Sequence, residues 1–348
     1  MAVTATTTYT DLFSHDEVIL DTMAGEFTTQ INATTSGIIQ FIPDSMATNL
    51  SGHTLAAPKW DNLDYTGATQ ITGTADAPAI SVEGDLTTLA PYVNYEQRWG
   101  MDFLASAFSR KDPGVEIMAQ VARWAADMAT YVGAQSTTGA FATALATTHS
   151  YSGAGAINKS DSIEAKKLLG DKADLLKIAM MHGYVSADAL KDGLVTSVLQ
   201  NQVSAELYRT GSLGLFLGMN TYSNDVFCAP ASDVYPTYFA APGAIVSHMK
   251  SVPVSAETAG FVRNFEVNGI KIQVEQSRTQ DRGGTDSITA RISIAAGVQG
   301  LAWGSTANPT WTALATGSNW SKVTGWADKN IKIVRVTNSL DRKSTRLN

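Results

Sequence analysis

Residues 1–50 are dominated by Thr, Ser and Asn, and their apolar positions follow no regular spacing outside one short helix candidate, Glu17-Val18-Ile19-Leu20-Asp21-Thr22-Met23. So little apolar surface cannot offset the entropy of ordering the chain, so the segment is predicted to be an arm that lies on another surface. From Thr54 to Trp99 the pattern switches to short β-type runs broken by Gly, Pro and Asp. These are Thr54-Leu55-Ala56-Ala57-Pro58, Gln70-Ile71-Thr72-Gly73-Thr74, Ala79-Ile80-Ser81-Val82 and Tyr92-Val93-Asn94-Tyr95. They predict a long two-stranded excursion. A two-stranded ribbon alone in water is marginally stable, so this one is expected to pack on a neighbouring surface.

Asp112-Pro113 opens the strongest helical pattern in the chain. Asp can accept from the first unpaired amides, and Pro is already shaped for the first helical position. Met118, Val121, Ala122, Ala125, Met128, Ala129 and Val132 recur at helical spacing with Trp124 alongside, predicting a helix over about 113–134. Its many alanines allow close approach by a sheet. Beyond a Gly/Ser/Thr-rich stretch, Asp161-Ser162-Ile163-Glu164 has the form of a capping box, and Gly170 should end the helix it begins. Leu176–His182 reads as a strand and Ser186–Asp192 as a short helix closed by Gly193. Further strands are predicted at Phe227-Cys228, Tyr238-Phe239, Ala244–Val246 and Ile270–Val274. Ser287–Ile294 and Lys329–Val336 alternate strictly, and the first is expected to be a long strand with one buried face. Strands interspersed with a few helices place the chain in the α+β class.

At 348 residues the chain can bury a substantial core. Only 16% of residues are charged, against roughly 25% in soluble domains, so part of the surface is expected to be covered by partners. The net charge of −7 provides no broad basic field for gripping nucleic acid, although a container wall facing DNA needs none. The single cysteine, Cys228, lies in the apolar run Asp225-Val226-Phe227-Cys228-Ala229 and reads as a core hydrophobe in a reducing compartment. The start of the chain lacks a basic segment followed by an apolar one, and no run approaches about 18 apolar residues, so neither a signal peptide nor a membrane span is expected. Asp341–Asn348 is abruptly basic and out of keeping with the rest; this tail, 341–348, is expected to be foreign to the natural protein.

Several motifs invite an enzymatic reading. Gly153-Ala154-Gly155-Ala156-Ile157-Asn158-Lys159-Ser160 nearly matches the phosphate-binding loop, but Asn158 stands at the second glycine and no apolar strand precedes it. A mobile loop leading into a capped helix is the better reading. His15, His53, His149, His182 and His248 are dispersed, with no pair at metal-ligand spacing. Ser247-His248-Met249-Lys250 has the spacing of a serine nucleophile and lysine base but lies on a β-type run rather than opening a helix. Gly211–Gly218 lacks the glycine order of a dinucleotide loop and reads as a loop feeding a strand. Carboxylates are scattered, and no acid and base pair stands out.

The order of polar arm, β excursion, Ala-rich helix, α+β domain and late strands resembles the major capsid protein of tailed bacteriophages, with the Hong Kong 97-type fold. The resemblance runs from about residue 8 to 340. It is carried by Tyr9-Thr10-Asp11-Leu12-Phe13 with Glu17-Val18, by Ile163–Asp171, and by Met180-Met181-His182 ahead of Ala187 and Leu190. Thr237-Tyr238-Phe239 with Pro242-Gly243-Ala244, and Asp328–Lys332, add to it. It implies an N-terminal arm over 1–50 and an extended β-hairpin loop over 51–100 that overlaps an adjacent subunit. It further implies a peripheral domain over 101–174 and 266–325 with a long spine helix, and an axial domain over 175–265 and 326–340 around capsomer centres. No catalytic, cofactor or metal residues are implied. Lys59, Trp60 and Tyr65 are the candidate intersubunit contacts, since aromatic side chains are enriched at interfaces. The implied partners are further copies in hexameric and pentameric capsomers, scaffolding and portal proteins, and packaged double-stranded DNA held without sequence preference; no membrane is implied. The implied location is the virion, and the host cytoplasm during assembly. An encapsulin-like nanocompartment shell of the same fold is the alternative, and a nucleotide-binding enzyme using Gly153–Ser160 is one from a different class.

Overall fold

A computed structural model of the chain describes residues 36–44, 47, 53–60, 84–102, 113–153, 155–197, 214–252, 262–267, 270–279, 285–305 and 307–339. Along the chain these form β1 (Ile39–Phe41), β2 (Thr54–Trp60), β3 (Gly84–Pro91), β4 (Val93–Asp102), α1 (Pro113–Ala142), β5 (Ser150–Ser152), α2 (Lys159–Lys167), β6 (Ile178–Met181) and α3 (Gly183–Lys191). There follow β7 (Val195–Ser197), β8 (Gly214–Phe216), β9 (Met219–Ser223), β10 (Val234–Ala240), β11 (Ile245–Lys250), β12 (Val262–Val267), β13 (Ile270–Thr279), β14 (Thr285–Val298) and β15 (Leu301–Trp303). The last elements are α4 (Trp311–Ala315), β16 (Trp320–Lys322) and β17 (Ile333–Ser339). The helix candidate at Glu17–Met23 and the runs at Gln70–Thr74 and Ala79–Val82 lie outside the described residues.

Two sheets carry the body. In the six-stranded one β14 is the axis. One of its edges takes β4 in antiparallel register, Thr285 opposite Asp102 through Ile294 opposite Val93. Its other edge takes β13 along Thr285–Arg291 and then β11 along Ser293–Val298. β12 adds antiparallel to β13, and β1 adds in parallel to β11. The mixed seven-stranded sheet has the order β5-β17-β10-β6-β9-β8-β7. Among the described residues β2 pairs only with β3, as a separate ribbon with a register shift between Leu55 and Ala56.

α1 lies along β14 and α4 and bridges the two sheets. Val121, Ala122, Ala125, Ala129, Val132 and Phe141 are buried in a core shared with Ile288, Ile292 and Ile294 of β14. The small alanines let the helix approach the strand closely, and Trp99 of β4 meets Trp124 edge to face at 5.7 Å. The helix runs to Ala142, beyond the expected end near 134. Gly and Thr are poor helix formers, which hid this last stretch. The Thr137 and Thr138 hydroxyls donate to the carbonyls of Gly133 and Ala134, at 2.7 and 2.9 Å, and burial of Ser136, Thr137, Ala140 and Phe141 holds the turns in place.

Both faces of the seven-stranded sheet are covered as well. Met181, Tyr235, Phe239 and Val336 pack with Ala165 of α2 and Val185 of α3. Met180 and Tyr238 join the α1 side instead, where Tyr238 meets Phe141 and Phe227. Successive strand residues point to opposite faces, so the unbroken apolar run Ile178-Ala179-Met180-Met181 fits a strand buried on both sides.

Five local expectations are corrected. β14 is buried on both faces, not one: Ser287, Thr289 and Ser293 are as enclosed as the isoleucines between them. Phe227-Cys228 is a turn, because Asn224 accepts from the Phe227 amide through its side chain (2.9 Å) and from the Cys228 amide through its carbonyl (3.1 Å). α2 begins two residues before Asp161, capped by Asn158, and α3 begins at Gly183 rather than Ser186, with His182 accepting from Tyr184. Lys329–Lys332 does not join β17; Asp328–Asn330 makes a single 3₁₀ turn.

Candidate functional site

β1 and the ribbon meet the body at one place. After Gly37, whose positive φ turns the chain, Ile38 and Ile39 are buried, and β1 continues along the edge of β11 until the Ile42 amide donates to Ser247 O at 2.9 Å. The ribbon is buried at its root through Leu55, Ala56, Leu89, Ala90 and Tyr92, and the Tyr92 amide donates to His53 O at 2.8 Å. There it presses on β14 at Gly297: a Cβ at that position would stand 2.8 Å from Leu89 O and 3.1 Å from the Ala90 Cβ. Only glycine lets the two strands approach this closely.

One polar cluster joins both roots to the sheet. Lys271 Nζ on β13 donates to Asp44 Oδ1 and Oδ2 at 2.6 and 2.5 Å, and His248 Nε2 on β11 lies 2.9 Å from Asp44 Oδ1. The Tyr92 hydroxyl lies 2.6 Å from His248 Nδ1. An ionised carboxylate can only accept, so the proton sits on Nε2 and Nδ1 accepts from Tyr92. Lys250 adds a cation 4.9 Å from the centre of the Tyr92 ring. Hydrogen bonding from Lys271 holds the Asp44 carboxyl below its usual range. Burial keeps His248 below the ordinary histidine value, with the Lys271 charge adding to the effect against the pull of Asp44. Burial, reinforced by the Asp44 charge, pushes the Tyr92 phenol up.

An Asp–His–Tyr chain can in principle move a proton, but Tyr92 and His248 are almost completely enclosed and the phenol resists ionisation. The arrangement fastens three pieces of chain together. The second face of β14 extends the polar layer: Arg291 Nε donates to Glu96 at 3.0 Å, its Nη1 pairs with Glu275, and Arg98 donates to Ser287 Oγ at 2.7 Å.

The candidate contact residues stand away from this cluster. In the ribbon register Thr54 lies opposite Pro91 at the root, whereas Lys59 and Trp60 lie opposite Asp85 and Gly84. At a strand rise of about 3.3 Å per residue, Trp60 is roughly 20 Å from the root. Tyr65 lies outside the described residues. Sequence reading missed Asp44, Tyr92, His248 and Lys271. Its one signal was the alternation Ile270-Lys271-Ile272-Gln273-Val274, which put a lysine on the face that proves to be enclosed.

The enzyme-like motifs come apart. Asn158 and Asp161 cap each other, Asn158 accepting from the Asp161 amide (2.8 Å) and donating to its carboxylate (2.7 Å). That carboxylate crowds Gly153 and fills the helix start with negative charge, where a phosphate would have to sit. Lys159 and Ser160 are exposed. Ser247 Oγ donates to Ala295 O at 3.1 Å, and odd spacing on β11 turns Lys250 to the opposite face, so the two cannot act as nucleophile and base. Cys228 is fully buried, and its thiol is pushed up by that burial. Among the described residues no group of three or more His, Cys, Asp or Glu is placed to hold a metal ion.

No family model matches the chain, and no curated protein matches it. Solved structures do. The capsid of Ralstonia phage GP4 aligns with a TM-score of 0.54 over 87% of each chain at 9% identity. The head of Helicobacter pylori bacteriophage KHP40 aligns at 0.50 over 87% of each chain at 10% identity. The acidic stable capsid structure of Helicobacter pylori bacteriophage KHP30 aligns at 0.50 over 86% of each at 8% identity. The chain has the α+β fold of phage capsid proteins.

Proposed function

We propose that the chain is the structural subunit of a viral icosahedral capsid and works by binding copies of itself. Copies form hexameric and pentameric capsomers and close a shell around double-stranded DNA, in the host cytoplasm at first and in the virion at the end. The observation that carries this reading is a capsid fold matched over 87% of the chain. The cluster around Asp44 adds to it, because it joins Asp44 and Tyr92 to the sheet beside the root of the ribbon, and Lys59, Trp60 and Tyr65 are the proposed contacts with the adjacent subunit. The divisions at 1–50, 51–100, 101–174 with 266–325, and 175–265 with 326–340 then serve as arm, extended loop, peripheral domain and axial domain. Scaffolding and portal proteins are the further partners this assembly calls for. Negative-stain microscopy of the protein ending at Leu340 tests the reading. Capsomers, sheets or shells are expected, and a persistent monomer would contradict it.

A further inference from the structure

We propose that neighbouring copies meet head to tail through opposite ends of the seven-stranded sheet, a basic apolar pocket at one end receiving an acidic aromatic pole at the other. This rests on the shell reading and names the surfaces that build its rings.

Every large apolar side chain that stands exposed among the described residues falls between Ile163 and Val234. The sheet register sorts them. β6 and β9 run parallel and β10 runs against β6, so the ends of β6 and β9 and the start of β10 share one end of the sheet. That end carries Tyr184, 61% exposed, Val226, 50% exposed, and Val234. The opposite end carries the β8–β9 turn at Leu217-Gly218 and a pocket of about 400 Å³ lined by Ile163, Lys166, Lys167, Gly170, Ala173 and Leu217.

The pole is built to hold its shape. Tyr184 stacks on His182 at 5.2 Å and 16°, and His182 in turn meets Tyr235 edge to face at 4.9 Å. Asp225 accepts from the Gly183 amide at 2.7 Å, fixing the Val226 turn to the start of α3. Ala231 and Val234 exchange two backbone hydrogen bonds of 3.0 Å around Ser232 and Asp233, both at positive φ, 51° and 64°. Non-glycine residues in that region carry backbone strain, and such strain is retained where a surface must be presented in one shape. A stacked tyrosine with few free rotamers suits an anchor, since little entropy is lost when it docks.

Charge selects the pairing. Lys166 and Lys167 line the pocket, Lys167 pairing with Glu164 on its own helix, whereas Asp225, 3.6 Å from His182, and Asp233 flank Tyr184 and Val234. A two-fold contact centred on either end would set lysines against lysines or aspartates against aspartates. A head-to-tail contact sets lysine against aspartate, and repeated head-to-tail contacts close into rings.

Cysteine cross-linking of the full chain tests this. Cys228 is fully buried and stays out of exchange. Ile163→Cys with Tyr184→Cys in one chain should give, on mild oxidation, a ladder ending at closed rings, while each single variant stays uncross-linked. Dimers from Tyr184→Cys alone would show a two-fold contact and overturn the proposal. Absence of the ladder while the unaltered chain still forms shells would overturn it too and leave the shell reading intact. If the unaltered chain neither assembles nor cross-links, the shell reading fails and this contact with it. Should Tyr184→Cys melt earlier than the unaltered chain, the pair Leu217→Cys with Val226→Cys reads the same contact.

Discussion

The two sheets treat their surfaces in opposite ways. The six-stranded sheet encloses even polar side chains, Lys271, Gln273, His248 and Ser293 among them, and no large apolar side chain stands exposed on its described residues. The seven-stranded sheet is equally well packed inside but leaves Tyr184, Val226 and Leu215 in solvent at its margins. Both sheets contribute to buried apolar cores, so internal packing alone does not account for the difference. The six-stranded sheet anchors β1 and the root of the ribbon; on the reading proposed above, the other offers its exposed apolar margin to a partner.

If that division holds, substitutions in the first sheet should unfold the protein and substitutions at the margins of the second should spare the fold and stop assembly. The largest effect is expected from Gly297→Val, which forces a side chain into Leu89 O and the Ala90 Cβ. Overpacking of this kind costs about 3 kcal/mol and should lower the midpoint of thermal unfolding by several degrees. Asp44→Ala comes next, since it leaves the Lys271 ammonium, whose side chain is only 9% exposed, without its counter-charge. Because Asp44 itself is half exposed, the cost is about 2 kcal/mol rather than that of a fully buried pair. Adding Lys271→Met should recover most of it in a denaturation cycle.

Acid sharpens the same contrast. His248 and His149 are both held below their ordinary value by burial, so the unfolded chain takes up protons near pH 6.5 that the folded chain refuses. Stability is therefore full above about 6.5 and declines as pH falls through it. Asp44, also depressed, adds a further loss only as pH drops below its ordinary 3.8. Denaturant titrations at about pH 7.5 and about pH 5.5 should show the first decline, and His248→Gln should remove part of it. The smallest effect on the fold is expected from Tyr184→Ala, within about 0.5 kcal/mol of the unaltered chain. The same variant should abolish ring formation, as read by sedimentation.

Periodicity alone exposed much of this architecture. The alternation at Ser287–Ile294 marked the axial strand of the first sheet, and Asp112-Pro113 marked where α1 begins. It misjudged what tertiary packing decides. Thr137 and Gly139 stay helical because their surroundings bury them, and Ser287 and Ser293 are enclosed although alternation marks them as solvent-facing. Asn158 caps α2 as well as Asp161 could have, and the pattern could not choose between them. The Asp44–Lys271 pair was illegible, because its members are 227 residues apart and neither carries a local signature.

The measurement closest to the central claim is a cryo-electron-microscopy map of particles assembled from the chain, traced along β2 and β3. The account predicts the ribbon lying across a sister subunit, with Trp60 in the contact and Tyr184 of each copy against the Lys166–Leu217 pocket of the next. A ribbon folded back on its own body, in a protein that stays monomeric, would contradict it.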